Sequence, residues 1–156
     1  MHIRLIVVGS KQQQWVTEAF QDYAKRLPRQ WNFSLSEIPA LKRSKNESVT
    51  SVIKKEGAKI LSELKDNEQL IILDENGIEF TTQALSDKLE NLSAIKNRFC
   101  FVIGGPDGLS DECKKRADMS WSLTKLTLPH GLVRVIFIEQ IYRVWTLMSR
   151  HPYHRI

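Results

Sequence analysis

The chain has 156 residues, 42% of them hydrophobic, and a formal net charge of +5. That length sustains one domain, residues 1–156, with a substantial core, while no run of about 20 uncharged apolar residues offers a membrane span. The charge is uneven, with twelve Lys/Arg against six Asp/Glu in residues 1–65, seven against eleven in 66–125 and four against one in 126–156.

Basic ends suit a polyanionic partner and an acidic middle suits a cationic small ligand, although ordinary solubilising charge explains both. Cys100 sits in an apolar run and Cys113 in a charged one. Two cysteines without spacing pattern point to free thiols in a reducing compartment, hence the cytoplasm, and to no disulfide framework or metal knuckle.

In chain order, Ile3–Val8 reads as a strand closed by Gly9 rather than as a leader segment. Trp15, Ala19, Phe20, Tyr23 and Leu27 recur at helical spacing until Pro28. Phe33–Ile38 alternates like a half-buried strand and stops at Pro39. Lys42, Arg43 and Lys45 follow in a loop that is either solvated or an arm for phosphate contacts. A helix is expected over Ser48–Leu64, a buried strand over Gln69–Leu73 with a turn at Asp74–Gly77, and a helix over Thr81–Leu92.

Phe99–Ile103 is the next buried strand, and after GGPDG a short helix covers Ser110–Ala117. Trp121–Leu123 and Leu126–Leu128 read as short extended runs, and Gly131–Met148 as the last helix. Continuous apolar strands alternating with helices specify an α/β fold whose parallel sheet is covered on both faces.

Several motifs carry chemistry, each with a plainer reading beside it. The first turn, VVGSKQ, has one glycine, so it makes neither a dinucleotide fingerprint nor a phosphate loop. GGPDG lets backbone approach a ligand closely, yet it also serves as a tight turn with Ser110 as N-cap. Residues 122–130, SLTKLTLPH, could hydrogen-bond a flat heterocycle through backbone groups between leucines, or could form an edge strand ended by proline. Arg134 falls in the apolar stripe of Ile138, Ile141, Trp145 and Met148. Because an unpaired buried charge is costly, it is expected to reach a ligand or a partner subunit. Glu139 and Arg143 sit four residues apart on the opposite face, which suits a surface ion pair. The tail HPYHR groups His151, Tyr153, His154 and Arg155, a set better suited to a stacked base and phosphates than to a frayed end. His-x-x-His lacks a third ligand, so no metal is expected.

Taken together, Val8-Gly9, Ile38-Pro39, Lys55-Glu56-Gly57, the Phe101–Pro106 run with Gly108-Leu109-Ser110, Ser122–His130, Arg134-Val135, Glu139, Tyr142-Arg143 and His151–Arg155 resemble one family. It is the RlmH (YbeA) family of small SPOUT-class methyltransferases, and the resemblance spans essentially the whole chain. It implies a C-terminal trefoil knot, a homodimer and S-adenosyl-L-methionine as cofactor. The implied cofactor site is Leu73, Gly104, Leu123, Thr124, Lys125, Leu126, Thr127 and Leu128. The implied reaction is methylation of N3 of a pseudouridine in a 23S rRNA hairpin loop on the assembled 70S ribosome. His154 is then the candidate base, Tyr153 and Arg155 the stacking and phosphate contacts, and Arg143 an electrostatic anchor. Two other classes compete: a flavodoxin-like or nucleotide-binding enzyme, which lacks its phosphate-loop glycines here, and a non-catalytic ribosome binder, which leaves residues 122–130 unexplained.

Overall fold

Successive residues of the first strand, β1 (His2–Val8), enter different cores. Ile3, Leu5 and Val7 join one cluster, whereas Ile6 and Val8 join a second, as the two-residue period of a strand requires. β4 (Arg98–Ile103) divides the same way, with Phe99, Phe101 and Ile103 on one side and Cys100 and Val102 on the other. Strands buried on both faces need apolar residues at every position, which is why these runs are continuous in the sequence. In the computed structural model, residues 1–42 and 47–154 are described, without the side chain of His154. The expectations for Arg43, Lys45, the His154 side chain and Arg155 lie outside the described residues.

The remaining strands are β2 (Ser34–Ile38), β3 (Gln69–Glu79) and β5 (Met119–Ser122). They form a five-stranded sheet of order β2-β1-β4-β3-β5, parallel throughout. Helices α1 (Gln14–Arg26), α3 (Thr82–Ser93) and α5 (His130–Met148) contribute Phe20, Leu85, Leu89, Phe137 and Ile141 to the first core. Helices α2 (Val49–Glu63) and α4 (Asp111–Arg116) supply Ile60 and Cys113 to the second. The result is a three-layer α/β/α structure. Its centre is aromatic: Phe137 of α5 stacks on Phe101 at 5.0 Å and on Trp121 at 6.1 Å between ring centroids.

Three helices start where a hydroxyl caps them. Ser48, Thr81 and Ser110 accept the backbone N–H of Ser51, Ala84 and Cys113, respectively, satisfying donors that have no partner within the helix. Ser110 was the expected cap. Both cysteines are buried free thiols; burial, partly offset by Arg4, pushes Cys100 up to about 12, so it packs rather than reacts.

Three expectations need correction. Asp74–Gly77 does not end the third strand, because β3 continues to Glu79 and pairs again with β5 after a register break between Leu73 and Ile78. Gly77 permits this: a Cβ there would stand 2.7 Å from the Ser120 carbonyl carbon. Leu126–Leu128 is not a strand. Local bonds compete successfully with sheet pairing: Ser122 Oγ donates to the Thr124 carbonyl and Leu126 N–H donates to Thr124 Oγ1. β2 is an edge strand rather than a half-buried one, with Leu35 41% exposed.

Candidate active site

The C-terminal ends of β4 and β5, and the register break after Leu73 in β3 between them, open onto two adjoining cavities. Such strand ends are where open α/β sheets place ligands. A smaller cavity, about 160 Å³, is lined by Leu73, Trp121–Thr124, Leu126–Leu128 and Val133. A larger one, about 510 Å³, is lined by Ile103–Leu109, Leu128 and His130, within the roughly 300–1,000 Å³ of small-molecule sites. Both include Leu73, Asp74, Glu75, Leu128 and Val133, so they are continuous along one wall.

Each wall follows from its sequence. The glycine turn folds back on itself, with Gly108 N–H donating to the Gly105 carbonyl at 3.0 Å and Gly108 at φ +90°, a left-handed conformation that favours glycine. Gly104 lies so close under the turn that a Cβ would come within 2.9 Å of the Gly108 carbonyl oxygen and of Leu109 Cγ. Apolar walls come from Leu73, Leu123, Leu128 and Val133, and Pro129 directs the chain into α5. Asp74 contributes charge. Burial acts to raise its pKa, but the hydrogen bond from Lys114 (2.7 Å in the ion pair) and that from Asn76 N–H outweigh it and hold Asp74 below the usual carboxylate range.

Of the expected cofactor residues, Leu73, Leu123, Thr124, Leu126, Thr127 and Leu128 meet in the smaller cavity, and Gly104 lines the larger. Lys125 lines neither. Its side chain is 72% exposed and reaches Glu79 at 3.8 Å. Trp121, Val133, Asp74, Glu75 and His130 were missed. Asp74 and Glu75 directly follow Leu73 at the register break of β3, so their position beside the site was readable from the apolar run they close; Val133 and His130 depend on how α5 docks.

His130 opens α5 and donates to the Val8 carbonyl, while its Nε2 is buried without a partner. Burial, and then the Arg134 guanidinium, hold its pKa below 6.5, the Val8 bond opposing them. A group with a depressed histidine pKa binds its proton more readily when unfolded, so folding stability is full above about pH 6.5 and falls as pH drops through that value. Urea unfolding across pH 7.5 to 5 should therefore show a loss that His130→Gln lessens; identical pH slopes would exclude His130 as its source.

Arg134, expected to reach a ligand or a partner subunit, finds a counter-charge within its own chain and also lines, with Glu37, a third cavity of about 240 Å³. It is buried, pairs with Glu37 Oε1 at 2.6 Å and donates to the Gly9 carbonyl, tying α5 to the ends of β1 and β2. The sequence stripe could not reveal a counter-charge almost a hundred residues away.

The expected catalytic residues that are described gather elsewhere. Arg143 donates to Glu139 Oε1 through Nε at 3.0 Å and Nη2 at 2.7 Å, and lies 5.1 Å from the centre of the Tyr153 ring. The pair is part-buried rather than a plain surface bridge. The tail is not frayed up to Tyr153. Arg150 takes φ +54°, His151 N–H donates back to the Thr146 carbonyl at 2.8 Å, and the chain reverses as at a left-handed helix end. Tyr153 then packs edge-on against Tyr142 with ring centroids 4.8 Å apart, its hydroxyl 3.3 Å from Glu139 and 3.4 Å from Tyr23. Burial, the Tyr23 contact and the Glu139 charge raise its pKa above the usual phenol value, so it stays protonated. At 1.5 Å rise per residue, Arg143 stands roughly 20 Å along α5 from His130.

Among the described residues no helix is long and apolar enough to cross a membrane, and no group of His, Cys, Asp and Glu could hold a metal ion.

Comparisons with known proteins show the family. The family model described as "Predicted SPOUT methyltransferase" matches residues 1–154. A protein of Marinomonas sp. (strain MWYL1) named "Ribosomal RNA large subunit methyltransferase H" is 46% identical over 155 residues, 99% of this chain and 100% of that protein. Proteins of the same name from Thioalkalivibrio sulfidiphilus and Saccharophagus degradans are each 44% identical over 155 residues, covering 99% of this chain and 99% and 100% of themselves. With a strand-end cavity, an α/β/α sheet and a family match over nearly its whole length, the chain belongs to the SPOUT methyltransferase family.

Proposed function

We propose that this protein, a single methyltransferase domain acting as a homodimer, methylates N3 of a pseudouridine in 23S ribosomal RNA on the assembled 70S ribosome. The observation that carries the reading is the pair of continuous cavities at the ends of β4 and β5 and the register break of β3. Their lining suits S-adenosyl-L-methionine: leucine and valine walls for a flat purine, loop backbone for its hydrogen-bonding edge, and the Asp74 and Glu75 carboxylates for a cationic group. The sulfonium of that cofactor supplies an activated methyl group. The names of the relatives support large-subunit ribosomal RNA as substrate, and a ribosomal substrate puts the enzyme in the cytoplasm. The family's trefoil knot, with α5 threaded through a loop, is part of the same reading.

The chain's own task is alignment and charge. Residues 104–108 and 123–128 hold the donor in place, and alignment of two reactants is itself a large share of such a rate enhancement. The acceptor nitrogen must lose a proton, which calls for a base or a nearby cation. Arg143, fixed by Glu139 beneath Tyr153, supplies that cation, with His154 as the candidate base and Arg155 as a phosphate contact. Because this group sits roughly 20 Å from the donor cavity of its own protomer, a second copy brings the tail to the cavity, which is the role of the dimer.

The test is transfer of labelled methyl from S-adenosyl-L-methionine to 70S ribosomes and free 50S subunits that lack the modification, with Gly104→Trp alongside. Label in 70S RNA that vanishes in the variant is expected. Label only in 50S would move the step to an earlier stage of assembly; absence of donor binding by the unaltered protein would overturn the reading.

A further inference from the structure

Glu56 is a carboxylate in the middle of α2, only 5% exposed, on the side of the sheet away from α5. Burying such a group is costly unless its oxygens are engaged, so its contacts show what it is there to hold. Oε1 accepts the backbone N–H of Leu41 at 3.0 Å, in the loop that leaves β2 and carries Lys42. On its other side Oε2 lies under the glycine turn: a Cβ on Gly105 would stand 2.8 Å from Oε2 and 3.5 Å from Cδ. The adjacent Gly57 brings the helix equally close to the end of that turn. A Cβ there would fall 2.2 Å from Ser110 Oγ, and Cys113 Sγ donates to the Gly57 carbonyl. The Lys55-Glu56-Gly57 motif thus docks α2 against the wall of the larger cavity at two points.

We propose that Glu56 is a positioning residue that sets the glycine turn of the donor cavity and the Leu41-Lys42 segment after β2 from a single carboxylate. The inference rests on the reading of the cavity as a donor site. It assigns Glu56 by reach rather than by charge. One oxygen has to span to Leu41 while the other supports Gly105, so a shorter side chain loses one of the two and a neutral one of equal length keeps both contacts. The Leu41-Lys42 segment and the turn then shift together, which links the affinity for a polyanion at Lys42 to the affinity for donor in the cavity.

The experiment measures S-adenosyl-L-methionine affinity by calorimetry and KM for ribosomes by methyl transfer, on the full-length protein. Glu56→Asp and Glu56→Ala are each expected to weaken donor binding about tenfold, the scale of one buried group left unsatisfied, and to raise the ribosome KM in parallel with little change in kcat. Glu56→Gln is expected to rescue both. Gly105→Ala should weaken donor binding in the native background and less so with Glu56→Ala, where the collision is relieved. A purely structural role would lower the unfolding midpoint without this coupling. Folded Glu56→Asp with both constants within about twofold of the unaltered protein would overturn the inference, as would Glu56→Gln no better than Glu56→Ala. Failure of the unaltered protein to bind donor would instead overturn the donor-site reading, and this inference with it.

Discussion

Replacing Arg134 with methionine is expected to lower the unfolding free energy by about 3 kcal/mol, the low end of the loss when one partner of a buried pair is removed. The side chain is 5% exposed and pairs with Glu37 at 2.6 Å, while also donating to the Gly9 carbonyl. Methionine keeps much of the volume, so the loss isolates the charge and its hydrogen bonds. Glu37 is 34% exposed and regains part of its hydration, which sets the estimate low in that range. The effect extends to geometry, because the Arg134 contacts tie β1 through Gly9 and β2 through Glu37 to α5, whose first turn lines the cavities with His130 and Val133. Glu37→Gln retains an acceptor oxygen and should cost less than half as much. The shift is read from the urea midpoint at constant slope. A change below about 1 kcal/mol would mean that the pair contributes little beyond its own desolvation.

Arg143→Ala is expected to reduce single-turnover methyl transfer about a hundredfold, as loss of one preorganised electrostatic group does in other active sites. Donor affinity should stay within about twofold. The two measurements separate because Arg143 stands roughly 20 Å along α5 from His130 at the donor cavity, among Glu139, Tyr142 and Tyr153. Arg143→Lys should recover only part of the rate, since an ammonium cannot present Nε and Nη2 together to the Glu139 oxygen. Glu139→Gln should fall between them, leaving the cation present but less firmly held. An unchanged single-turnover rate for Arg143→Ala would remove that residue from the catalytic group.

The two residues illustrate different limits of reading a sequence. Both lie on α5, and the helical period correctly separated their faces. For Arg143 the local pattern was sufficient, because its partner Glu139 is one helical turn away and a contact at that spacing follows from helix geometry. For Arg134 the partner is Glu37 on β2, and no local period contains it.

Local chemistry determined much of the rest from sequence alone. Continuous apolar runs at Ile3–Val8 and Phe99–Ile103 can be satisfied only as strands covered on both faces, and Ser48, Thr81 and Ser110 mark helix starts because their hydroxyls complete the first turn. Together with the quoted motifs, that was enough to identify the family and to single out residues 104 and 123–128. The tertiary structure alone decided the continuation of β3 past Gly77, the non-strand path of residues 126–128, the outward turn of Lys125 toward Glu79, and the docking of Glu56 beneath Gly105. Each of these depends on atoms from segments far apart in the chain. A sequence specifies the conformational preference of each segment through neighbours a few residues away, whereas close approach and counter-charge exist only after the sheet and its helices have packed.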